Sequence, residues 1–117
     1  MKRLNRIVRL YVPGTVNNQL DPKSQETYVD LALEKFSDLF GGATAMDARG
    51  AWKTSSGILV KEPVVLVFSF TDEDGLAEHR ESVEQFAKRL AVEMMQECVS
   101  VEIDGELHFI EPQPKAA

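Results

Sequence analysis

Four side chains in the middle of the sequence are of types that build small-ligand sites: Asp47, Arg49, Trp52 and Glu62. The charged groups supply hydrogen bonds, and the indole ring supplies an apolar wall with one polar edge. If the segments on either side of the turn at 54–57 pair as strands, the four side chains meet at one end of a sheet. They are therefore the candidate ligand-binding residues, and no catalytic residue is assigned.

The same stretch also has a purely structural interpretation, and the sequence leaves both open. Trp52 can pack the end of a sheet, and Gly50 can allow a bulge that changes the phase of the strand before it reaches Trp52. Arg49 beside Asp47 would keep that carboxylate ionised, whereas an apolar wall from Trp52 would oppose its ionisation.

The remaining reactive side chains are isolated along the chain. The single cysteine, Cys98, excludes a disulfide framework and a cysteine-rich zinc site. It lies where a helix gives way to a strand, so a buried, inert thiol is expected. His79 and His108 fall in different elements, so neither a metal site nor a cofactor is predicted.

Alternating strand and helix patterns position these groups. Period-two apolar spacing predicts strands, and apolar residues at helical spacing predict two helices. The strands cover 5–12, 43–53, 58–70, 99–103 and a short return after Asp104-Gly105; the helices cover 22–40 and 76–96. This order predicts a ferredoxin-like α+β sandwich, an antiparallel sheet with two helices on one face plus a short C-terminal β-hairpin. Residues 1–111 are expected to form one domain and 112–117 a disordered tail.

Several local expectations follow from single residues. Asp21 before Pro22 predicts a capped helix start, and Pro63 predicts a bend or break in its strand. A polar loop is expected after the first strand, and another at 71–75. Phe36 and Phe86 are expected to be the buried anchors of the two helices.

Charge is distributed unevenly, with a formal net charge of −6, residues 1–9 carrying +4 and residues 72–111 carrying −9. Nucleic-acid binding relies on clustered Lys and Arg, so the acidic second half argues against it. No apolar run approaches the roughly 20 residues of a membrane span, and no leader precedes the first strand. We therefore predict a cytoplasmic protein with neither a nucleic-acid nor a membrane partner.

A short motif and its continuation point to known proteins. Its positions are Asp47, Gly50, Trp52, Gly57, Glu62 and Pro63, followed by the apolar run Val64–Phe68. In these residues the chain resembles a family of small bacterial proteins of unknown function. The segment Gln-Glu-Cys-Val at 96–99 resembles the family's Gln-Glu-Ser-Val at the end of its last helix, with Cys98 in place of serine. The resemblance implies a ferredoxin-like fold and does not indicate an activity.

The main functional hypothesis is a non-catalytic binding module that self-associates as a homodimer. Its open sheet face would carry Arg9 and Tyr11 as interface residues and would recognise a protein partner or a small ligand. A second hypothesis is a mobile-element accessory protein that inhibits a host defence enzyme. A third is a small dimeric enzyme of the antibiotic-biosynthesis monooxygenase type, with a pocket between sheet and helices in which Trp52, Asp47 and Glu62 act.

Overall fold

Residues 1–112, the part of the chain that the computed structural model describes, form two helices and seven strands. In chain order they are β1 (Arg6–Pro13), β2 (Thr15–Val16), β3 (Gln19–Leu20), α1 (Pro22–Phe40), β4 (Thr44–Lys53), β5 (Leu59–Thr71), α2 (Glu73–Glu93), β6 (Val99–Ile103) and β7 (Glu106–Ile110). Five strands form one antiparallel sheet in the order β4-β5-β1-β6-β7. This confirms the predicted ferredoxin-like sandwich; residues 113–117 of the predicted tail lie outside the described part.

Helix α1 begins and ends where its sequence signals predict. The Asp21 carboxylate accepts a hydrogen bond from the Ser24 backbone N–H at 3.0 Å, and Pro22 occupies the first turn. Gly41 ends the helix in the left-handed conformation, with a φ of 86°. Phe36 is fully buried against the sheet, as predicted, whereas Phe86 of α2 is only partly buried.

Helix α2 begins three residues earlier than its apolar spacing predicts. The Asp72 side chain accepts a hydrogen bond from the Gly75 N–H at 2.8 Å, so a cap replaces the expected loop. Two acidic residues then occupy the first turn, where the helix dipole favours negative charge. Only glycine fits at position 75 without a shift, because a Cβ there would clash with the Thr71 hydroxyl oxygen at 2.2 Å.

The strand β5 runs unbroken through Pro63, contrary to the predicted bend or break. Pro63 pairs with Arg49 of β4 and lies one residue beyond the last pair of β5 with β1, so its missing N–H leaves no ladder bond unmade on that side. The register also continues through Gly50, which pairs with Glu62, so the predicted bulge is absent. Side chains therefore alternate regularly along β4.

The segment after β1 is a small hairpin rather than the expected loop. Thr15 pairs with Leu20 and Val16 with Gln19, and the two asparagines between them have φ values of 50° and 63°. Two left-handed residues in succession form the turn that matches the twist of a hairpin, and asparagine adopts this conformation more readily than most residues. Within residues 1–112 no helix has the length and apolar character needed to cross a bilayer.

Candidate functional site

The two faces of the sheet differ sharply in what covers them. On β1, Val8, Leu10 and Val12 are fully buried beneath the helices, whereas the alternate residues Arg9 and Tyr11 lie on the other, open face. Large apolar side chains at least half exposed share that open face: Met46, Trp52, Phe70 and Phe109. The open face is therefore a largely apolar surface within which a few polar groups stand out.

A shallow pocket of about 260 Å³ lies at one end of the open face. It spans four adjacent strands, and we call it the sheet pocket. Its walls come from the end of β1, from the middle of β4 and β5, and from the segment entering β6: Tyr11, Pro13, Ala48, Arg49, Gly50, Glu62, Val64, Leu66, Gln96, Cys98, Val99 and Ser100. Apolar walls around a few polar groups are the usual composition of a small-ligand site.

The four predicted site residues lie on opposite faces of the sheet, two on each face. Glu62 lies opposite Gly50 in the ladder and lines the sheet pocket, and Trp52 lies two residues along the same face of β4. Asp47 and Arg49 occupy the alternate positions of β4, which belong to the other face. Arg49 still borders the sheet pocket, whereas Asp47 and Trp52 do not line it. The binding role of all four residues stays a prediction.

An ionic cluster on the open face adjoins the sheet pocket. The Arg9 guanidinium donates to one oxygen of the Glu102 carboxylate, and the Tyr11 hydroxyl donates to the other at 3.3 Å. Arg9 also lies 5.9 Å from the centre of the Phe68 ring, within cation–π range. Burial, and then the negative charge of Glu102, raise the pKa of Tyr11 above its ordinary value. Tyr11 therefore faces the pocket as a neutral phenol held in a fixed orientation.

Two pocket residues, Gln96 and Cys98, were not among the predicted site residues. Both belong to the Gln-Glu-Cys-Val segment at 96–99, and this motif was the one sequence feature that could have marked them as site residues. Burial raises the pKa of the Cys98 thiol, and the carboxylates of Glu97 and Glu111 raise it further. Cys98 is only partly buried, contrary to the expected buried thiol, because its side chain lines the sheet pocket, and its inertness stays a prediction.

Other features of residues 1–112 are weaker candidates for a ligand-binding or metal site. A larger groove of about 630 Å³ runs between α1 and α2, but it contains none of the predicted site residues. Within residues 1–112, no group of three potential metal ligands comes together, and His79 and His108 lie in α2 and β7. The monooxygenase-type hypothesis places its pocket between sheet and helices, whereas the sheet pocket lies on the opposite face.

Comparison with known proteins finds similarity in structure only. Neither a protein-family profile nor a curated protein sequence matches the chain. The fold is similar to that of a phage SAM lyase in complex with S-methyl-5′-thioadenosine, with a TM-score of 0.68, 24% identity, and coverage of 99% of this chain and 98% of that chain. A phage SAM lyase in the apo state matches with a TM-score of 0.65, 21% identity and the same coverage.

These matches correct the main functional hypothesis. A chain of this fold, similar over nearly its whole length to a lyase, contradicts the expectation of a non-catalytic binding module. That expectation was wrong because it rested on the lack of a recognisable catalytic motif in the sequence. Side chains that come together from four neighbouring strands, as in the sheet pocket, leave no motif in a sequence, so the lack of a motif does not indicate a binding module. Membership of the small bacterial family stays a prediction.

Proposed function

We propose that this chain cleaves S-adenosylmethionine (SAM) in the sheet pocket and releases S-methyl-5′-thioadenosine. The observation that carries the proposal is the similarity, over 99% of this chain, to a lyase structure that holds S-methyl-5′-thioadenosine. A pocket with one carboxylate, Glu62, among apolar walls supports it from the structure itself.

The reaction follows from comparing SAM with the released nucleoside. S-methyl-5′-thioadenosine is SAM without its four-carbon amino acid group, so the bond that breaks joins the sulfonium sulfur to that group. The bonding pair stays on sulfur, which becomes a neutral thioether. A carboxylate oxygen of the substrate itself can attack the carbon bonded to the sulfonium sulfur and form a lactone as the carbon–sulfur bond breaks. The step then needs neither water nor any other co-reactant.

The composition of the sheet pocket suits this chemistry. When the substrate carboxylate attacks the carbon next to the sulfonium, two opposite charges disappear, so removal of water speeds the step. Val64, Leu66 and Val99 supply apolar walls for that purpose. SAM also carries an ammonium group, and the carboxylate of Glu62 offers it an ionic hydrogen bond. Glu62 is therefore assigned to binding and orientation.

This proposal gives the mobile-element hypothesis a mechanism. A protein that destroys SAM deprives methyl-transferring enzymes of their donor, and a host defence enzyme that needs SAM would lose function without direct contact. The phage source of the similar lyases supports this role. We further propose that the chain acts in the cytoplasm, where SAM is made.

Chromatography of the reaction mixture tests the proposed activity. Purified protein incubated with SAM is expected to release S-methyl-5′-thioadenosine at a rate proportional to protein concentration. A sample without protein gives the spontaneous breakdown of SAM, which must be subtracted. A rate no higher than that blank across pH 6–8 (roughly the range in which most folded domains are stable) would refute the activity.

We also propose that a second copy of the chain covers the open face, and the homodimer stays our prediction for the assembly. The support is the exposed apolar surface, since contiguous apolar patches on soluble proteins mark interaction sites. Arg9 and Tyr11 lie within this surface and remain the interface candidates.

Phe70→Glu is expected to shift the protein toward monomer, because Phe70 is 50% exposed on β5 and a buried unpaired carboxylate is costly. Val92→Glu is the matched control, since Val92 is 53% exposed on α2 in the other layer. Light scattering should give the wild type and the control a mass above the 13.1 kDa of one chain. A monomeric wild type at high concentration would contradict the proposal.

A further inference from the structure

The hairpin formed by β2 and β3, residues 15–20, accepts hydrogen bonds from one residue of the sheet pocket, Gln96. The Gln96 amide nitrogen donates to the Thr15 carbonyl oxygen at 2.7 Å, to the Thr15 hydroxyl at 3.3 Å and to the Met94 carbonyl oxygen at 3.1 Å. The Met94 carbonyl also accepts from the Asn17 N–H at 3.3 Å. The amide N–H groups of the Gln96 side chain therefore all donate to the hairpin or to the end of α2.

The backbone places Gln96 at this junction. Helix α2 ends with Met95 in the left-handed conformation, at a φ of 53°, and the Gln96 N–H then bonds back to the Ala91 carbonyl oxygen at 2.9 Å. This is the hydrogen-bond pattern of a Schellman ending, which turns the chain sharply after a helix. A non-glycine residue in this conformation is uncommon and strained, so the surrounding contacts must hold it.

Gln96 connects the hairpin to the sheet pocket. Gln96 lines the pocket, and so does Pro13, which is separated from the hairpin only by Gly14. A Cβ at Gly14 would lie 2.5 Å from the Pro63 carbonyl oxygen, so β1 and β5 approach closely at this end of the sheet. The hydrogen bonds from Gln96 to Thr15 therefore tie the Gln96 wall of the sheet pocket to the chain that leaves the β1 wall.

We propose that Gln96 is a positioning residue that fixes the hairpin at residues 15–20 against the sheet pocket and so sets ligand affinity. This inference rests on the proposed function. Without the amide donors, the Thr15 carbonyl and hydroxyl lose this partner and the Met94 carbonyl keeps only the Asn17 N–H, so the hairpin detaches more often. The Gln96 side chain also loses its fixed place in the pocket wall, which weakens binding.

Gln96→Glu tests the inference because it keeps the shape of the side chain and replaces the donor by an acceptor that faces two carbonyl oxygens. Amide hydrogen exchange in residues 15–20 is expected to accelerate about 10-fold, which matches the loss of one hydrogen bond of ordinary net strength. Affinity for S-methyl-5′-thioadenosine, measured by calorimetry, should fall several-fold, because the Thr15 and Met94 carbonyl oxygens repel the new carboxylate from its place in the pocket wall. In the SAM assay KM should rise with kcat little changed.

Gln85→Glu makes the same chemical change at an exposed position on α2 and is expected to alter neither quantity. Gln96→Lys restores nitrogen donors and should return the exchange of residues 15–20 toward the wild-type rate. Unchanged exchange in Gln96→Glu would overturn the anchoring role. Faster exchange with unchanged affinity would overturn the link to the pocket. If the wild type itself fails to bind the nucleoside, the proposed function fails together with this inference.

Discussion

Glu62→Gln is expected to lower kcat/KM for SAM cleavage about 5- to 13-fold while leaving the protein folded. The substitution keeps the size of the side chain and removes its charge, so the ionic hydrogen bond to the ammonium group of SAM becomes a neutral one. Hydrogen bonds to charged groups are worth about 1.5–3 kcal/mol and neutral ones about 0.5–1.5 kcal/mol, and the difference of about 1–1.5 kcal/mol corresponds to a loss of this size. Because Glu62 is assigned to binding, most of the loss should appear in KM.

Glu34→Gln is the matched control for this variant, because Glu34 is an exposed residue of α1 in the layer on the other side of the sheet. Initial rates at several SAM concentrations separate KM from kcat, and circular dichroism confirms that both variants fold. Equal rates for wild type and Glu62→Gln would remove Glu62 from the site. A loss confined to kcat would show that it acts in the chemical step rather than in binding.

Phe36→Ala is expected to destabilise the fold by about 3–5 kcal/mol, which is the usual range for removal of a buried phenylalanine. Phe36 is fully buried at the centre of the core, and its ring meets that of Phe40 edge to face at 5.7 Å. The substitution removes apolar contact with the sheet and leaves a cavity that α1 cannot close without shifting. Denaturant unfolding at one fixed protein concentration measures the change.

Leu31→Ala provides the comparison on the same helix. Leu31 is 37% exposed, so its truncation is expected to cost about 1 kcal/mol or less. Similar unfolding midpoints for Phe36→Ala and the wild type would contradict the placement of Phe36 in the core. Equal losses for the two variants would show that α1 is not oriented as described.

The architecture was predictable because its signals are local. Asp21-Pro22 and Gly41 fix the ends of α1, and Asp104-Gly105 forms the tight turn into β7, with φ values of 52° and 86°. The start of α2 was missed because its first turn contains Gly75, a residue that usually breaks helices. The Thr71 hydroxyl, four residues earlier at the helix start, shows why a glycine stands there, but its position depends on the capped backbone, which spacing alone does not reveal.

The candidate site was less predictable than the fold. Alternation around the turn at 54–57 was enough to bring Glu62 and Trp52 to one face, but the assumed bulge at Gly50 misjudged how Trp52 and Asp47 relate. Gln96 and Cys98 reach the pocket from the segment that enters β6, and β6 lies next to β1 rather than next to β5. Strand order in a sheet depends on long-range pairing, and no spacing within the sequence reveals it.

Cleavage of SAM in water enriched in ¹⁸O tests the central claim most directly. Mass spectrometry of early time points follows both S-methyl-5′-thioadenosine and the four-carbon product. The account predicts that the nucleoside accumulates in proportion to protein concentration and that the four-carbon product first appears as an unlabelled lactone. Accumulation no faster than in the protein-free sample, or a four-carbon acid that carries ¹⁸O from the first time point, would contradict it.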